Sequence, residues 1–238
     1  NDTSKEQLKE IVMKENTFFI TGTDTDIGKT YVTIGLINFF KKNGNSVIGM
    51  KPISAGLENL NGNMINADVL HLMEANSINF SKDEINPYAF KDPASPHIVS
   101  TMENISIDFD LIKKQVQTLM DKSDYLFIEG AGGYDCPLDK SRNVSDLIEY
   151  INVPLIIVVG IKLGCLSHAI LTMKAIEQKN QKIFGWIANI VDSNMDFQEE
   201  NISYLRKKIK HPYLGCIPYV NNRNNIDISD YILWPSDV

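Results

Sequence analysis

Residues 17–30 read TFFITGTDTDIGKT, and the fold is decided in this stretch. Thr17 to Thr21 is short, apolar and rich in β-formers, so it predicts a strand. Lys29 to Asn43 then places Val32, Leu36, Phe39 and Phe40 at helical spacing, with Tyr31, Ile34 and Ile37 widening the apolar face. Gly44 suits the residue just past the helix end. Between strand and helix lies GTDTDIGKT, residues 22–30, ending in Gly28-Lys29-Thr30. That is the context a phosphate-binding loop requires. Backbone N–H groups at the helix start would face phosphate oxygens, Lys29 would neutralise them, and the Thr30 hydroxyl would meet Mg²⁺. The spacing is one residue long: five residues separate Gly22 from Gly28, so Thr23 stands where the usual pattern has its first glycine.

Outward from this unit, apolar runs and helical patterns alternate. Strands are predicted at Ser46 to Met50, Tyr125 to Ile128, Leu155 to Val159, Phe184 to Val191 and Tyr213 to Ile217. Helices are predicted at Ala67 to Ala75, Phe109 to Asp121, Val144 to Tyr150, Leu166 to Lys179 and Asp196 to Lys208. The alternation predicts an α/β fold, doubly wound, with a mostly parallel sheet and helices on both faces, like that of P-loop NTPases. Residues 17–238 read as one domain. Residues 1–16 read as an extension, with Leu8, Ile11 and Val12 on one helical stripe. Asn59, Asn61, Gly62, Asn63 and Asn66 predict a mobile loop over residues 58–66.

The formal charge of −7 makes a nucleic-acid backbone an unfavourable partner, although a local pocket can still oppose the global sign. No apolar run reaches the roughly 20 residues of a membrane span. Cys136, Cys165 and Cys216 lie too far apart for a zinc pair, and their odd number fits reduced thiols and a cytoplasmic setting.

In a parallel sheet the chemistry belongs at the carboxyl ends of the strands. Lys51 stands at one such end, beside Pro52. Glu129 stands at another, followed by Gly130-Ala131-Gly132-Gly133, whose small size lets backbone approach a phosphate. A carboxylate placed like Glu129 can hold Mg²⁺ opposite Thr30. Asp68 begins a helix, where a helix dipole favours an acid in any case.

These segments, in this order, resemble the dethiobiotin synthetase family. The matching stretches are GTDTDIGKT (22–30), GMKPISAG (49–56), NADVL (66–70), NPYAF (86–90), SPHIVS (95–100), IEGAGGY (128–134), LIIVVGIKLGCLSHA (155–169), GWIANIV (185–191) and LGCIPYV (214–220). The resemblance implies a homodimer that uses ATP and Mg²⁺ to carboxylate 7,8-diaminononanoate with CO₂ and close a ureido ring. A carbamate and a carbamic-phosphoric anhydride are the implied intermediates. By position, Lys29 and Lys51 would be catalytic, and Thr30, Asp68 and Glu129 would hold the metal. Asp26, Ile27, Gly28, Lys29, Thr30 and Tyr31 would wrap the phosphates, with Glu129, Gly130, Ala131 and Gly132 lining the nucleotide site. Asn189, its neighbour Ile190, and Pro218, Tyr219 and Val220 would meet adenine. Thr23, Lys51 and Ala55 would contact the substrate. Lys162, Leu163 and Gly164 would face its carboxylate across the dimer interface.

The chain departs from the family in a few places. Ala55 stands where a serine is common, Ser167 where asparagine is usual, Ile190 where an acid is frequent, and Asp26 where glutamate is common. The rival reading is a ParA/MinD-type switch ATPase on a related fold. Such proteins carry a lysine beside the first glycine of the loop, whereas Thr21 and Thr23 flank Gly22 here.

Overall fold

The computed structural model describes residues 15–60, 62–221 and 227–235. The helix expected in the N-terminal extension, apart from Glu15, lies outside the described residues, as does Asn61. The main sheet has six parallel strands: β1 (Thr17–Gly22), β2 (Val47–Met50), β7 (Tyr125–Glu129), β8 (Leu155–Ile161), β9 (Ile183–Ile190) and β10 (Tyr213–Ile217). Their order is β10-β9-β8-β1-β7-β2. β8 is buried along its whole length, as the run LIIVVGI demands of a strand covered on both faces.

Side chains alternate between two apolar layers. Phe18, Ile20, Ile156 and Val158 pack with Val32, Leu36, Ile37 and Phe40 of α1 (Lys29–Lys42) and with Leu72 of α2 (Ala67–Ala75). Phe19, Ile157 and Val159 face the other way. There they join side chains of α5 (Phe109–Asp121), α6 (Val144–Ile151), α7 (Cys165–Gln178) and α8 (Gln198–Lys208). The sheet is therefore doubly wound. The chain goes from β1 toward β2 on one side, and later from β7 to β8 on the other, so the winding reverses beside β1 and leaves a crevice at its carboxyl end.

After Met50 the chain leaves the main sheet. It forms β3 (Ile53–Ala55), which pairs in parallel with β6 (Tyr88–Phe90). Residues 58–66, expected to be a mobile loop, instead build the hairpin β4 (Glu58–Leu60) and β5 (Asn63–Ile65), in register Glu58↔Ile65. Two asparagines serve the turn and the following helix: Asn59 Oδ1 accepts from Gly62 N at 3.0 Å, and Asn66 caps α2. Short helices α3 (Lys82–Ile85) and α4 (Pro96–Met102) flank β6. At the far edge, residues 227–235 return over β10. Gly215 has φ +119°, and a Cβ there would lie 2.0 Å from the Tyr231 carbonyl oxygen, so this close approach requires glycine.

Candidate active site

The register Met50↔Ile128 brings the residues that follow, Lys51 just past β2 and Glu129 at the end of β7, side by side at the carboxyl edge. The register Ile20↔Glu129 puts that carboxylate against the strand that feeds the phosphate loop. Gly28 begins α1 with φ 81°, and Asp26 also has positive φ, 56°, so the loop curls back over the helix start. A cleft of about 230 Å³ results, lined by Thr25, Asp26, Gly28, Lys29, Thr30, Lys51, Asp68, Glu129 and Gly132.

Charged groups converge in this cleft, and Lys29, Lys51 and Glu129 are buried there. Lys29, 7% exposed, donates from Nζ to the Asp24 carbonyl at 2.9 Å. Burial lowers its pKa, and the charge of Glu129 opposes that fall. Lys51, also 7% exposed, donates to Asp68 Oδ2 and, at 2.9 Å, to Glu129 Oε1. Burial alone would lower its pKa too, but the charges of Glu129 and Asp68 outweigh this and raise it, so the ammonium stays protonated. Burial likewise works against ionisation of Asp68, and Lys51 overrides it, holding that carboxyl below the usual range.

Glu129 is 1% exposed. Its Oε1 accepts from both the Thr30 hydroxyl, at 2.7 Å, and Lys51. Its Oε2 is buried with no hydrogen-bond partner in the protein. A buried carboxylate oxygen left in this state needs a ligand. With the Thr30 hydroxyl and Asp68 alongside, the set is all-oxygen and matches a hard cation such as Mg²⁺. Among the described residues no group of three His, Cys, Asp or Glu side chains forms a metal site by itself. A magnesium shell here would therefore be completed by phosphate oxygens and water.

Other residues singled out in the sequence sit around this centre. Thr23 does not line the cleft, because its Oγ1 accepts from Gly160 N at 3.4 Å; Thr25 lines it instead. Ile27 is buried under the loop against Gly22 and Gly160, and Tyr31 is buried in α1. Gly130 and Ala131 line a small apolar gap behind Glu129. Ala55 lies at the end of β3, and its carbonyl accepts from Asn66 Nδ2 at 3.0 Å. The same Asn66 side chain accepts from Asp68 N at 3.1 Å, which ties the helix carrying Asp68 to the strand carrying Ala55. Lys162 pairs with Asp24 at 2.7 Å, Leu163 is 89% exposed, and Gly164 starts α7 with φ 91°. Asn189 is buried and donates from Nδ2 to the Ile27 carbonyl at 2.6 Å. Ile190 ends β9, and Pro218, Tyr219 and Val220 follow β10 on the same edge of the sheet. His97, inside SPHI, meets Ser95 Oγ through Nδ1 at 2.9 Å.

A phosphate loop between β1 and α1, backed by two buried lysines and an oxygen-rich acid cluster, defines a P-loop nucleotide-binding protein of the doubly wound class. A family model described as an AAA domain matches residues 16–226. The ATP-dependent dethiobiotin synthetase BioD of Wigglesworthia glossinidia brevipalpis is 40% identical over 211 residues, covering 88% of this chain and 93% of that protein. Its namesake from Aromatoleum aromaticum is 40% identical over 218 residues, covering 92% and 97%. The chain belongs to the dethiobiotin synthetase family. Solved structures share its fold at lower identity. A ParA family ATPase from Chlorobium tepidum superposes with TM-score 0.54 at 16% identity, covering 87% of this chain and 86% of that one. The MinD of a MinC:MinD complex from Aquifex aeolicus gives 0.51 at 18%, covering 87% and 82%. These two define the fold and carry no function across.

Proposed function

We propose that this chain is an ATP-dependent cyclo-ligase that converts 7,8-diaminononanoate and CO₂ to dethiobiotin. One amine of the diamine takes up CO₂ as a carbamate. A carbamate oxygen attacks the γ-phosphorus of ATP, ADP leaves, and a carbamic-phosphoric anhydride remains. The second amine attacks the carbamoyl carbon and expels phosphate, closing the ring.

The observation that carries this reading is the position of Lys51. Its ammonium is buried, held protonated by two carboxylates, and shares one cleft with Lys29 and Thr30 of the phosphate loop. A fixed cation there meets negative charge as it spreads over the transferring phosphoryl group. Lys29 exchanges the Asp24 carbonyl for phosphate oxygens. Thr30, Asp68 and Glu129 would hold Mg²⁺, which when bound neutralises charge on the β- and γ-phosphates. The orphaned Glu129 Oε2 supports that assignment. Asn189, near the end of β9, and Pro218 to Val220, after β10, hold the base.

A homodimer completes the substrate site in this reading. Leu163, 89% exposed beside Lys162 and the N-terminus of α7, supports an interface at that edge. Among the described residues no helix is long and apolar enough to cross a membrane. The reading places the enzyme in the cytoplasm.

Phosphate release from ATP, measured with and without 7,8-diaminononanoate and bicarbonate, tests the proposal. Release that requires the diamine is expected. Equal release without it would transfer the chain to the switch-ATPase class.

A further inference from the structure

Lys51 is the first residue past β2, so its own peptide groups lie outside the ladder of the main sheet. They are caught by residues 85–88 instead. Lys51 N donates to the Ile85 carbonyl at 3.1 Å, and the Pro52 carbonyl accepts from Tyr88 N at 3.0 Å. The Lys51 carbonyl between them has a side-chain partner: Asn86 Nδ2 donates to it at 2.7 Å.

Asn86 is 2% exposed, and both ends of its amide are engaged. Nδ2 also donates to the Tyr88 carbonyl at 3.3 Å, and Oδ1 meets the Ser54 hydroxyl at 2.8 Å. Two backbone carbonyls on one side admit only the NH₂ end of the amide, so its orientation is fixed by chemistry. A buried amide held at three points is restrained, and removing it leaves the Lys51 carbonyl without that partner.

We infer that Asn86 is a positioning residue for the reaction: it locks the backbone of Lys51 so that the ammonium stays aimed at the phosphoryl group. The inference rests on the assignment of Lys51 above. Lys51 reaches Glu129 through a long side chain with several rotatable bonds to restrain. Holding its base fixed restricts that freedom. A misplacement of about 1 Å at a reacting group can cost on the order of 10²-fold in rate.

Asn86→Asp keeps the shape and the Ser54 contact but turns an acceptor toward the Lys51 carbonyl. Asn86→Ser removes the reach altogether. Both are measured for thermal unfolding and for steady-state phosphate release with diamine and bicarbonate. The expected result is a folded protein whose kcat falls at least tenfold while the KM for ATP stays within twofold. Ser54→Ala removes only the Oδ1 contact and leaves both Nδ2 bonds to the carbonyls in place, so it is expected to hold kcat within twofold. Wild-type release independent of diamine would defeat the function assigned to the site rather than the role of Asn86. With diamine-dependent wild type, unchanged kcat in both Asn86 variants would overturn the inference. So would a loss carried by KM, or unfolding of both variants where wild type is folded, since each would make Asn86 a stability residue.

Discussion

Lys51 Nζ donates to Glu129 Oε1 across 2.9 Å, and both groups are almost completely buried. The two residues come from the ends of adjacent parallel strands, so the sheet register itself sets their separation. Truncating one partner leaves the other as an uncompensated buried charge. Lys51→Gln is therefore expected to lose about 10²- to 10³-fold in kcat, the usual consequence of removing one electrostatic stabiliser. Single-turnover phosphate release measures it directly, and a loss below threefold would remove Lys51 from the chemistry.

Glu129 Oε2 has no protein partner, while Oε1 is shared by Thr30 and Lys51. Glu129→Gln keeps the shape and removes the charge. Half-maximal activation should then need roughly tenfold more Mg²⁺, equivalent to about 1.4 kcal/mol of binding. Chelation of the metal should abolish wild-type phosphate release. A Mg²⁺ titration of the variant that overlays the wild type would show that this carboxylate does not reach the ion.

Much of this architecture can be read from residue order. The strand-end positions of Lys51 and Glu129 follow from runs of β-branched and aromatic residues that stop abruptly. The phosphate loop follows from Gly28-Lys29-Thr30 between a strand and a helix. Thr25, which lines the cleft, was not legible in sequence, because a lengthened loop has no fixed register until its turns are built. β3 and β6 have three residues each, too short for a hydrophobic period to declare them. Asn66 and Asn86 were hidden by composition, since asparagine is an ordinary turn residue and here each acts through a side-chain amide on distant carbonyls. One usable signal lay in Ser81 and Glu84, whose S-x-x-E spacing is the capping box that starts α3.

Asp139 offers a stability test away from the candidate active site. Its carboxylate accepts from Ser141 N and Arg142 N, both at 2.9 Å, and from Arg142 Nε at 2.8 Å. Burial alone would raise its pKa; the Ser141 and Arg142 contacts overcome that and hold it below the ordinary 3.8. A depressed carboxylate contributes stability that is complete above its unfolded value and is lost as pH falls through its folded value. Asp139→Asn should thus cost about 1 kcal/mol near neutral pH, a figure held low because the pair is partly exposed. The deficit should vanish in acid, below that folded pKa. Denaturant melts of both proteins across this range check it, and a deficit that persisted in acid would deny the charge any part.

If the proposed homodimer forms at the edge where α7 begins, Leu163, 89% exposed there, is the residue to perturb. A carboxylate there would be driven into an apolar contact at high cost. Leu163→Asp should shift sedimentation toward monomer and lower activity in proportion, with thermal stability of the single chain little changed. A variant that stayed dimeric and active would move the interface elsewhere.

Carbon-13 bicarbonate supplies the most direct measurement. Enzyme, MgATP and 7,8-diaminononanoate are incubated with it, and the product is examined by NMR and mass spectrometry. The labelled carbon is expected in a single cyclic urea carbonyl, with one ADP and one phosphate formed per ring. ATP hydrolysed without incorporation of label would contradict the account.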